Sequence, residues 1–329
     1  MQGRLVLAWD PSSAIPSPWC NAPLDARRDE GDSAGYPRIA EVRLCKGSMS
    51  KRHRLQFDEI GYWSEVKLDI VREYASAYSK ILSARKSPRL EHVYVDAFAG
   101  AGVHISQKTG AFVAGSPLNA LQVQPPFHAY HLIDIDGRKV ALLRKLAGGR
   151  ANVFIYEGDC NRILLDEVFP KIRWEEYRRG LCLLDPYGLH LDWKVIETAG
   201  RLRTIDLFLN FPVADMNRNV LWRNPEGVDP ADLERMNRFW GDDSWKTVAY
   251  QPTQDLFGTL PVKLENEDVA EGFRRRLRQV ANFCHVPEPL PMRNSKGAIV
   301  YYLFFASQKP VAQEIVQDIF RKHRGRGGH

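Results

Sequence analysis

The sequence contains few cysteines, and they form no recognisable cluster. Only five occur among 329 residues, and no two of them stand in a C-x-x-C motif. Zinc sites and disulfide frameworks need cysteines at close, regular spacings, so we predict neither a metal site nor a set of disulfides. Reduced thiols are typical of a cytoplasmic protein. The cysteines are Cys20, Cys45, Cys160, Cys182 and Cys284.

Long apolar runs are absent as well. No segment approaches the roughly 18 consecutive apolar residues of a membrane-spanning helix. The apolar run at residues 5–9 is too short for the core of a signal peptide. We therefore expect a soluble, cytoplasmic protein that makes no membrane contact. The net charge of +6 is modest for this length and permits a DNA or RNA partner without requiring one.

Composition divides the chain into three segments. Residues 1–55 mix proline, serine, glycine and charge without periodicity, which predicts a poorly ordered N-terminal extension. Residues 56–323 are long enough for one α/β domain with a full core. Within them, residues 213–290 interrupt the strand–helix alternation, which indicates a helical insertion or accessory module. The basic residues 324–329 form a tail that we expect to be disordered.

The stretch HVYVDAFAGAG at residues 92–102 is central to the functional prediction. Its β-branched and aromatic residues predict a buried parallel strand that ends on an acid and runs into a glycine turn. A dinucleotide-binding turn would have a third glycine where Ile105 stands, so a pyrophosphate ligand is disfavoured. The pattern D-x-F-x-G-x-G is that of S-adenosylmethionine-dependent methyltransferases; the alternative is a glycine turn of another Rossmann-like protein. The candidate cofactor residues here are Asp96, Phe98, Gly100 and Gly102.

Acidic residues also end the next two predicted strands. The strand at residues 128–136 ends on Asp134 and Asp136, and the strand at 152–158 is followed by Asp159. A carboxylate at such a strand end can accept both hydroxyl protons of a ribose, for which we favour Asp134 over Asp136. Asp159 can accept the exocyclic amine of an adenine. The alternative for Asp136 and for Asp159 is that each caps the helix that follows it.

A fourth strand, at residues 181–184, leads into the turn DPYG. Methyltransferases that act on amino groups of bases use a D/N-P-P-Y/F/W turn, in which the acid and a prolyl-region carbonyl accept the hydrogens of the amine. We predict that Asp185 and Pro186 position such an amine and that Tyr187 stacks on the base. The second proline is absent here, and D-P-Y-G is nearer to the D-P-F-G turn of tRNA guanine N2-methyltransferases. The alternative is a plain β-turn.

The remaining pattern completes an α/β fold. Apolar residues recur at helical spacing over 62–86 and 311–323, a fifth strand is predicted at 205–211, and residues 291–307 predict a hairpin. A helix around 270–283 carries four arginines, which more often form a solvated face than a phosphate-binding one. Asn210, at the end of the fifth strand, is expected to make a loop hydrogen bond; the alternative is that it lines the pocket.

Taken together, these motifs resemble the three-Cys-motif partner (TcmP) family from about residue 63 to the end of the last helix. The matching stretches are YWSEVKLDIVREYASAYSKIL, VDAFAGAG, GSPLNAL, HLIDID, LLDPYG, IDLFLNFP and YYLFFAS. The resemblance implies a Rossmann-like class I methyltransferase fold, with a mostly parallel seven-stranded sheet, an antiparallel C-terminal hairpin and a helical insertion. It also implies a separate partner, a radical-SAM-like iron–sulfur protein that carries the three cysteines.

Two functions follow as hypotheses. The first is an S-adenosylmethionine-dependent methyltransferase that acts on an exocyclic amino group of a nucleobase or nucleic acid, with no need for a metal. The second is a weakly active or inactive scaffold with the same fold, which binds the iron–sulfur partner. A variant of this hypothesis is that the scaffold also binds nucleic acid. The missing second proline favours the second hypothesis.

Overall fold

The structure is a computed structural model that describes residues 57–255 and 258–324. The predictions for residues 1–55 and for most of the basic tail lie outside these ranges. The strands are β1 (Glu59–Ile60), β2 (Glu91–Asp96), β3 (Val103–Ser106), β4 (Phe112–Ala114), β5 (Ala129–Asp134), β6 (Val153–Glu157), β7 (Arg178–Leu184), β8 (Ile205–Phe211), β9 (Tyr250–Asp255), β10 (Gly258–Lys263), β11 (Leu290–Arg293) and β12 (Ile299–Ala306). The α-helices are α1 (Tyr62–Ser83), α2 (Ser116–Leu121), α3 (Gly137–Ala147), α4 (Cys160–Ile163), α5 (Trp193–Leu202), α6 (Val213–Asn219), α7 (Pro230–Trp240), α8 (Trp245–Ala249), α9 (Asn266–Gln279) and α10 (Pro310–His323).

Seven strands form one mixed sheet in the order β11-β12-β8-β7-β2-β5-β6. Strands β2, β5, β6, β7 and β8 run parallel to their neighbours in this group, and β12 runs antiparallel to both β8 and β11. From β2 the chain adds β5 and then β6 on one side of the sheet. It then returns to place β7 beside β2 on the other side, followed by β8 and the hairpin β11–β12. The strand order therefore reverses between β2 and β7, which is where ligands bind in open sheets of this kind. The predicted α/β fold and its C-terminal hairpin are confirmed.

The central strands are buried on both faces, as their apolar sequences predict. In β2, Val93 and Val95 belong to the core layer that contains Val195 of α5 and Phe273 of α9. Tyr94 belongs to the opposite layer, with residues of α1 and α10. The period-two alternation along each strand thus divides its side chains between two layers and fixes which side of the sheet each helix covers.

Helix α1 begins at Tyr62 as predicted but ends at Ser83, before the expected end at residue 86. Its buried face carries Ile70 and Tyr74, and the Tyr74 hydroxyl donates to the Asp206 carboxylate at 2.6 Å. That face also includes one charged side chain, Lys67, which is only 6% exposed. A lysine is almost never buried to this extent without a partner. This residue therefore becomes part of the candidate site.

Two segments differ from the sequence prediction. Residues 103–114, for which no strand was predicted, form the hairpin β3–β4, which β1 joins in parallel. The segment 213–290 contains α6 to α9 and also an antiparallel hairpin, β9–β10, that was not expected. Strands of three or four residues are too short for a clear alternation pattern, which is why the first hairpin escaped prediction.

The caps of two helices follow different rules. Gly115 is the N-cap of α2, and Ser116 is the first residue of the helix. The Ser116 hydroxyl instead hydrogen bonds to Asp96, so this side chain serves the strand end rather than the helix. In α3 the Asp136 side chain caps the helix by accepting from the Arg138 amide. None of the helices in the described part of the chain combines the length and apolar character needed to cross a bilayer.

Candidate functional site

The candidate site lies at the carboxyl ends of the parallel strands, beside the point where strand order reverses. Asp96 is the last residue of β2, Asp134 is the last residue of β5, and Asp185 directly follows β7. Because these strands are adjacent and parallel, their ends meet at one edge of the sheet. Asp96, Asp134 and Asp185 are thereby brought to a common edge, and Asp159 comes two residues after the end of β6, the strand that pairs in parallel with β5.

The glycine turn after β2 is held to β5 by backbone and side-chain hydrogen bonds. Gly100 and Gly102 have φ angles of 62° and 80°, which favour glycine because other side chains are strained there. The Gly100 amide donates to Asp134 Oδ2 at 2.8 Å, and the Ala99 amide donates to the carbonyl of Ile133 at 2.9 Å. The turn therefore presents its backbone in a fixed position next to the end of β5.

Asp96 is a fully buried carboxyl with weak internal partners. Its oxygens accept from the Tyr94 hydroxyl and from the Phe98 amide, each at 3.3 Å, and from Ser116. Burial raises the pKa of Asp96 to about 7, while the Ser116 hydrogen bond acts in the opposite direction and the nearby Asp185 charge adds to the rise. A cationic ligand group would favour the ionised form of this carboxyl.

Asp134 and Asp136 have different roles. Asp134 accepts from the Gly100 amide through Oδ2 and from the Asp136 amide through Oδ1, both at 2.8 Å. Asp136 accepts from the amide and the guanidinium of Arg138, which pairs with it at the surface. Each Asp134 oxygen retains a second lone pair, so this carboxylate can still accept from a ligand hydroxyl. The role of Asp134 as the ribose ligand stays a prediction.

Asp159 is exposed and caps α4, where its Oδ1 accepts from the amide and the side-chain nitrogen of Asn161, both at 3.0 Å. Among the described contacts none joins Asp159 to the other acids. Its role toward an adenine stays a prediction. Phe98 is partly buried and packs against the core, with its backbone amide rather than its ring directed at Asp96.

The DPYG turn brings together groups that the sequence did not associate. Asp185 forms an ion pair with Lys67 of α1, and Asn210 Nδ2 donates to Asp185 Oδ1 at 2.9 Å. Pro186 is buried. Gly188 has a φ of 69°, as expected for a glycine that closes a turn. Both the turn interpretation and the placement at the sheet edge are therefore compatible with the structure.

Tyr187 is 66% exposed, so its ring is available at the edge of the site. Its hydroxyl hydrogen bonds to Asp58, and Lys139 Nζ lies 5.7 Å from its ring centroid. Lys139 Nζ is also 2.6 Å from Asp58 Oδ2. Asp58 thus joins the loop after β7 to the first turn of α3, across the end of β2.

Sequence analysis overlooked three further residues at this edge. Lys67 comes from a helix, His104 from the hairpin β3–β4, and Ile135 directly follows Asp134. His104 lies near the glycine turn with its Nδ1 buried and without a partner in the described structure. Burial lowers the pKa of His104, and the Lys67 ammonium lowers it further, so the ring is neutral at pH 7. Ile135 is 77% exposed, which is unusual for an isoleucine. Its position directly after the strand-end acid Asp134 is the signal by which the sequence could have identified it.

The fold and site define an α/β protein with a seven-stranded mixed sheet. Acidic residues line the edge of this sheet at the point where strand order reverses, called the switch point below. No family model and no curated protein matches the sequence. A Legionella pneumophila protein has a similar structure, with a TM-score of 0.46, 12% identity, and coverage of 79% of this chain and 94% of that one.

Two further similar structures are methyltransferases. An S-adenosylmethionine-dependent methyltransferase from Mesorhizobium loti gives a TM-score of 0.31 at 10% identity and covers 70% of this chain and 97% of its own. A dimethyladenosine transferase from Plasmodium falciparum gives 0.34 at 14% identity and covers 75% and 62%. At these scores the comparisons assign no family, and the resemblance to TcmP proteins stays a prediction.

Proposed function

We propose that this protein is an S-adenosylmethionine-dependent methyltransferase that acts on an exocyclic amino group of a nucleobase. The main support is the position of three carboxyl groups, Asp96, Asp134 and Asp185, at the ends of adjacent parallel strands around the switch point. The first two would hold the cofactor and the third the methyl acceptor. The Rossmann-like class I methyltransferase fold implied by the TcmP resemblance is part of this proposal.

The chemistry of the donor set suits the cofactor. S-adenosylmethionine presents an ammonium, a ribose diol and an adenine, and when bound it supplies an electrophilic methyl group on a sulfonium. The buried Asp96 would pair with the ammonium, and the Gly100–Gly102 backbone would allow close approach. Asp134 would accept from the ribose hydroxyls, and the exposed Ile135 would cover one face of the adenine. Asp159 would accept from the adenine amine.

The residues of the DPYG turn would align the acceptor. The Asp185 carboxylate would accept a hydrogen of the amine, with the Pro186 carbonyl alongside, so that the nitrogen lone pair faces the methyl group. Tyr187, exposed at the edge, would stack on the base. Such a site works by orientation rather than by strong acid or base catalysis.

Calorimetry with S-adenosylmethionine and S-adenosylhomocysteine tests the first step. We expect binding by the full chain, and methyl-labelled cofactor should then label total RNA or DNA on an exocyclic nitrogen, identified by mass spectrometry of the digested nucleosides. Absence of both heat and thermal shift at millimolar cofactor would refute the proposal. Asp185→Asn should retain cofactor binding and lose at least about 100-fold in transfer, as expected for a group that acts in alignment.

A second candidate function is that of a scaffold for a three-Cys-motif iron–sulfur protein. It is favoured by the missing second proline and by Asp58, which bridges the two sides of the edge. Co-expression with the product of an adjacent three-cysteine gene tests it. Co-purification together with no cofactor binding would favour the scaffold over the enzyme.

Direct nucleic-acid binding through the arginines of α9 has less support. Arg274 donates to the Val286 carbonyl, and the Arg276 guanidinium lies 4.7 Å from the Trp193 ring and pairs with Asp242. Only Arg275 and Arg278 of this group are exposed. Binding by this helix should weaken steeply as salt is raised, by roughly one power of the salt concentration for each phosphate contact.

A further inference from the structure

The side chains around Asp185 form an unusual buried group. Asn210 is 8% exposed, and its Nδ2 donates to Asp185 Oδ1 at 2.9 Å. An ionised carboxylate can only accept hydrogen bonds, so the amide nitrogen of Asn210 must face it. The remaining Asn210 Oδ1 is buried and has no partner among the described residues. A buried acceptor without a donor is costly, which indicates a site prepared for a donor from outside the chain.

Lys67 adds a hydrogen-bond donor to the same group of buried side chains. Its side chain is 8% exposed, its Nζ pairs with Asp185, and the same atom lies 5.3 Å from the centroid of the Tyr301 ring. An ammonium has three N–H donors and can serve one more acceptor besides the carboxylate. The group therefore offers two acceptors, Asp185 and Asn210, next to one donor, Lys67.

This pattern matches one kind of base edge. An amino group donates two hydrogens, and in adenine, cytosine and guanine the amino group neighbours a ring nitrogen that accepts. Hypoxanthine, uracil and xanthine carry an oxygen in place of the amino group of adenine, cytosine and guanine, respectively. Resting on the proposed function, we propose that Lys67 and Asn210 determine the acceptor specificity: Asn210 Oδ1 and Asp185 accept both amine hydrogens, and Lys67 donates to the adjacent ring nitrogen.

The assignment adds one acceptor to those of the DPYG turn. In that pattern a prolyl-region carbonyl is the second acceptor for the amine. Here Tyr187 stands in place of the second proline and Pro186 keeps its carbonyl, and the side-chain carbonyl of Asn210, from the neighbouring strand β8, adds a further acceptor beside Asp185. The specificity site therefore combines α1, the turn after β7, and β8.

The test measures nucleoside binding to the full chain by ligand-observed NMR, in the presence of the cofactor analogue sinefungin. Adenosine is compared with inosine, cytidine with uridine, and guanosine with xanthosine. We expect at least one amino nucleoside to bind about tenfold more tightly than its oxo counterpart, the effect of one hydrogen bond to a buried partner. In Asn210→Leu this preference should fall to about threefold or less, with sinefungin affinity unchanged.

Asn217→Leu is a matched control. Asn217 Nδ2 donates to Asn266 Oδ1 at 2.9 Å and its Oδ1 accepts from Lys263 at 2.7 Å, a similar network outside the strand ends. This variant should keep the full amino preference. Retained sinefungin binding also shows that each variant is folded.

The outcomes separate the two proposals. Equal binding of amino and oxo nucleosides by a wild-type protein that binds sinefungin would overturn the specificity assignment and leave the cofactor site in place. An unchanged preference in Asn210→Leu would remove Asn210 from it. Failure of the wild-type protein to bind sinefungin would instead contradict the proposed function. The wild-type ratio is informative even if Asn210→Leu does not fold.

Discussion

The backbone amide of Gly100 donates a hydrogen bond to the Asp134 carboxylate at 2.8 Å. This contact joins the turn after β2 to the end of β5, two strands that pair in parallel. The same carboxylate accepts from the Asp136 amide. Asp134 thereby fixes the shape of the glycine turn before any ligand arrives, which lowers the cost of binding there.

Asp134→Ala should weaken S-adenosylmethionine binding by at least about tenfold, because a charge-assisted hydrogen bond worth about 1.5–3 kcal/mol is lost together with the ribose acceptor. Calorimetry of both proteins measures the change. Asp136→Ala is the control: it removes the side-chain cap of α3, so it should lower stability slightly and leave the affinity within about threefold. Equal losses of affinity in both variants would contradict the assignment.

Asp96 should make stability depend on pH. Its folded pKa is about 7, above the unfolded value of about 3.9. Between these values the folded state binds the extra proton, so the free energy of unfolding should fall as pH rises from about 4 to about 7 and level off above. The contribution is on the order of a few kcal/mol.

Urea unfolding of wild type and Asp96→Asn at pH 5 and pH 8 measures this effect. The variant cannot ionise, so we expect its stability to rise relative to wild type between the two pH values. A constant difference between the two proteins would show that Asp96 is already ionised throughout the range.

Much of the fold could be predicted because its signals are local. The buried strands β2 and β7 contain short apolar runs, and Asp96 and Asp185 follow these runs directly in the sequence. The hairpin β11–β12 is marked by a turn sequence between two apolar segments, and it forms with a bulge between Met292 and Arg293. In each case neighbouring residues determine the element.

The partners of Asp185 could not be predicted, because they depend on tertiary structure. Lys67 lies 118 residues away along the chain and stands on a helix whose periodicity is defined by apolar residues. A lysine among them is normally assigned to the edge of the helix. Asn210 was expected to make a loop hydrogen bond. Its actual partner is Asp185, and the two residues are brought together by the pairing of β7 with β8.

Asp159 allows its two predicted roles to be separated. Asp159→Ser retains a side-chain oxygen that can cap α4 but shortens its reach, so stability should change by less than about 0.5 kcal/mol. If Asp159 also accepts from the adenine amine, S-adenosylmethionine affinity should fall about fivefold to tenfold. Thermal unfolding and calorimetry on the same samples provide both values. Unchanged S-adenosylmethionine affinity in Asp159→Ser would show that Asp159 acts only as the cap of α4.

Asp58 should control access to the site edge. Its carboxylate pairs with Lys139 at 2.6 Å and accepts from the Tyr187 hydroxyl, and both contacts cross the end of β2. Asp58→Asn should weaken the bridge and raise the association rate of S-adenosylmethionine several-fold in stopped-flow measurements. Because the pair is partly exposed, stability should change by no more than about 1 kcal/mol. Glu59→Gln, the adjacent exposed acid, should leave the rate unchanged; equal rates in all three proteins would show that the bridge does not limit entry.

The pair formed by Lys67 and Asp185 should show strong energetic coupling. Removing one partner of a buried ion pair typically costs about 3–5 kcal/mol because the other charge remains buried. Asp185 is 26% exposed at its side chain, so about 2 kcal/mol is expected for Lys67→Met and for Asp185→Leu. The double variant should lose less than the sum of the two, with a coupling energy of about 1–2 kcal/mol.

A double-mutant cycle by urea unfolding measures this coupling. Lys246 and Asp243 provide the control, because their nitrogen and oxygen are 3.5 Å apart and their side chains are 51% and 69% exposed. Such a surface pair should couple by only about 0.3–0.5 kcal/mol. If the Lys67–Asp185 coupling is no larger than this, then solvent screens the pair. The site would then hold an exposed carboxylate rather than the desolvated one that orients a base.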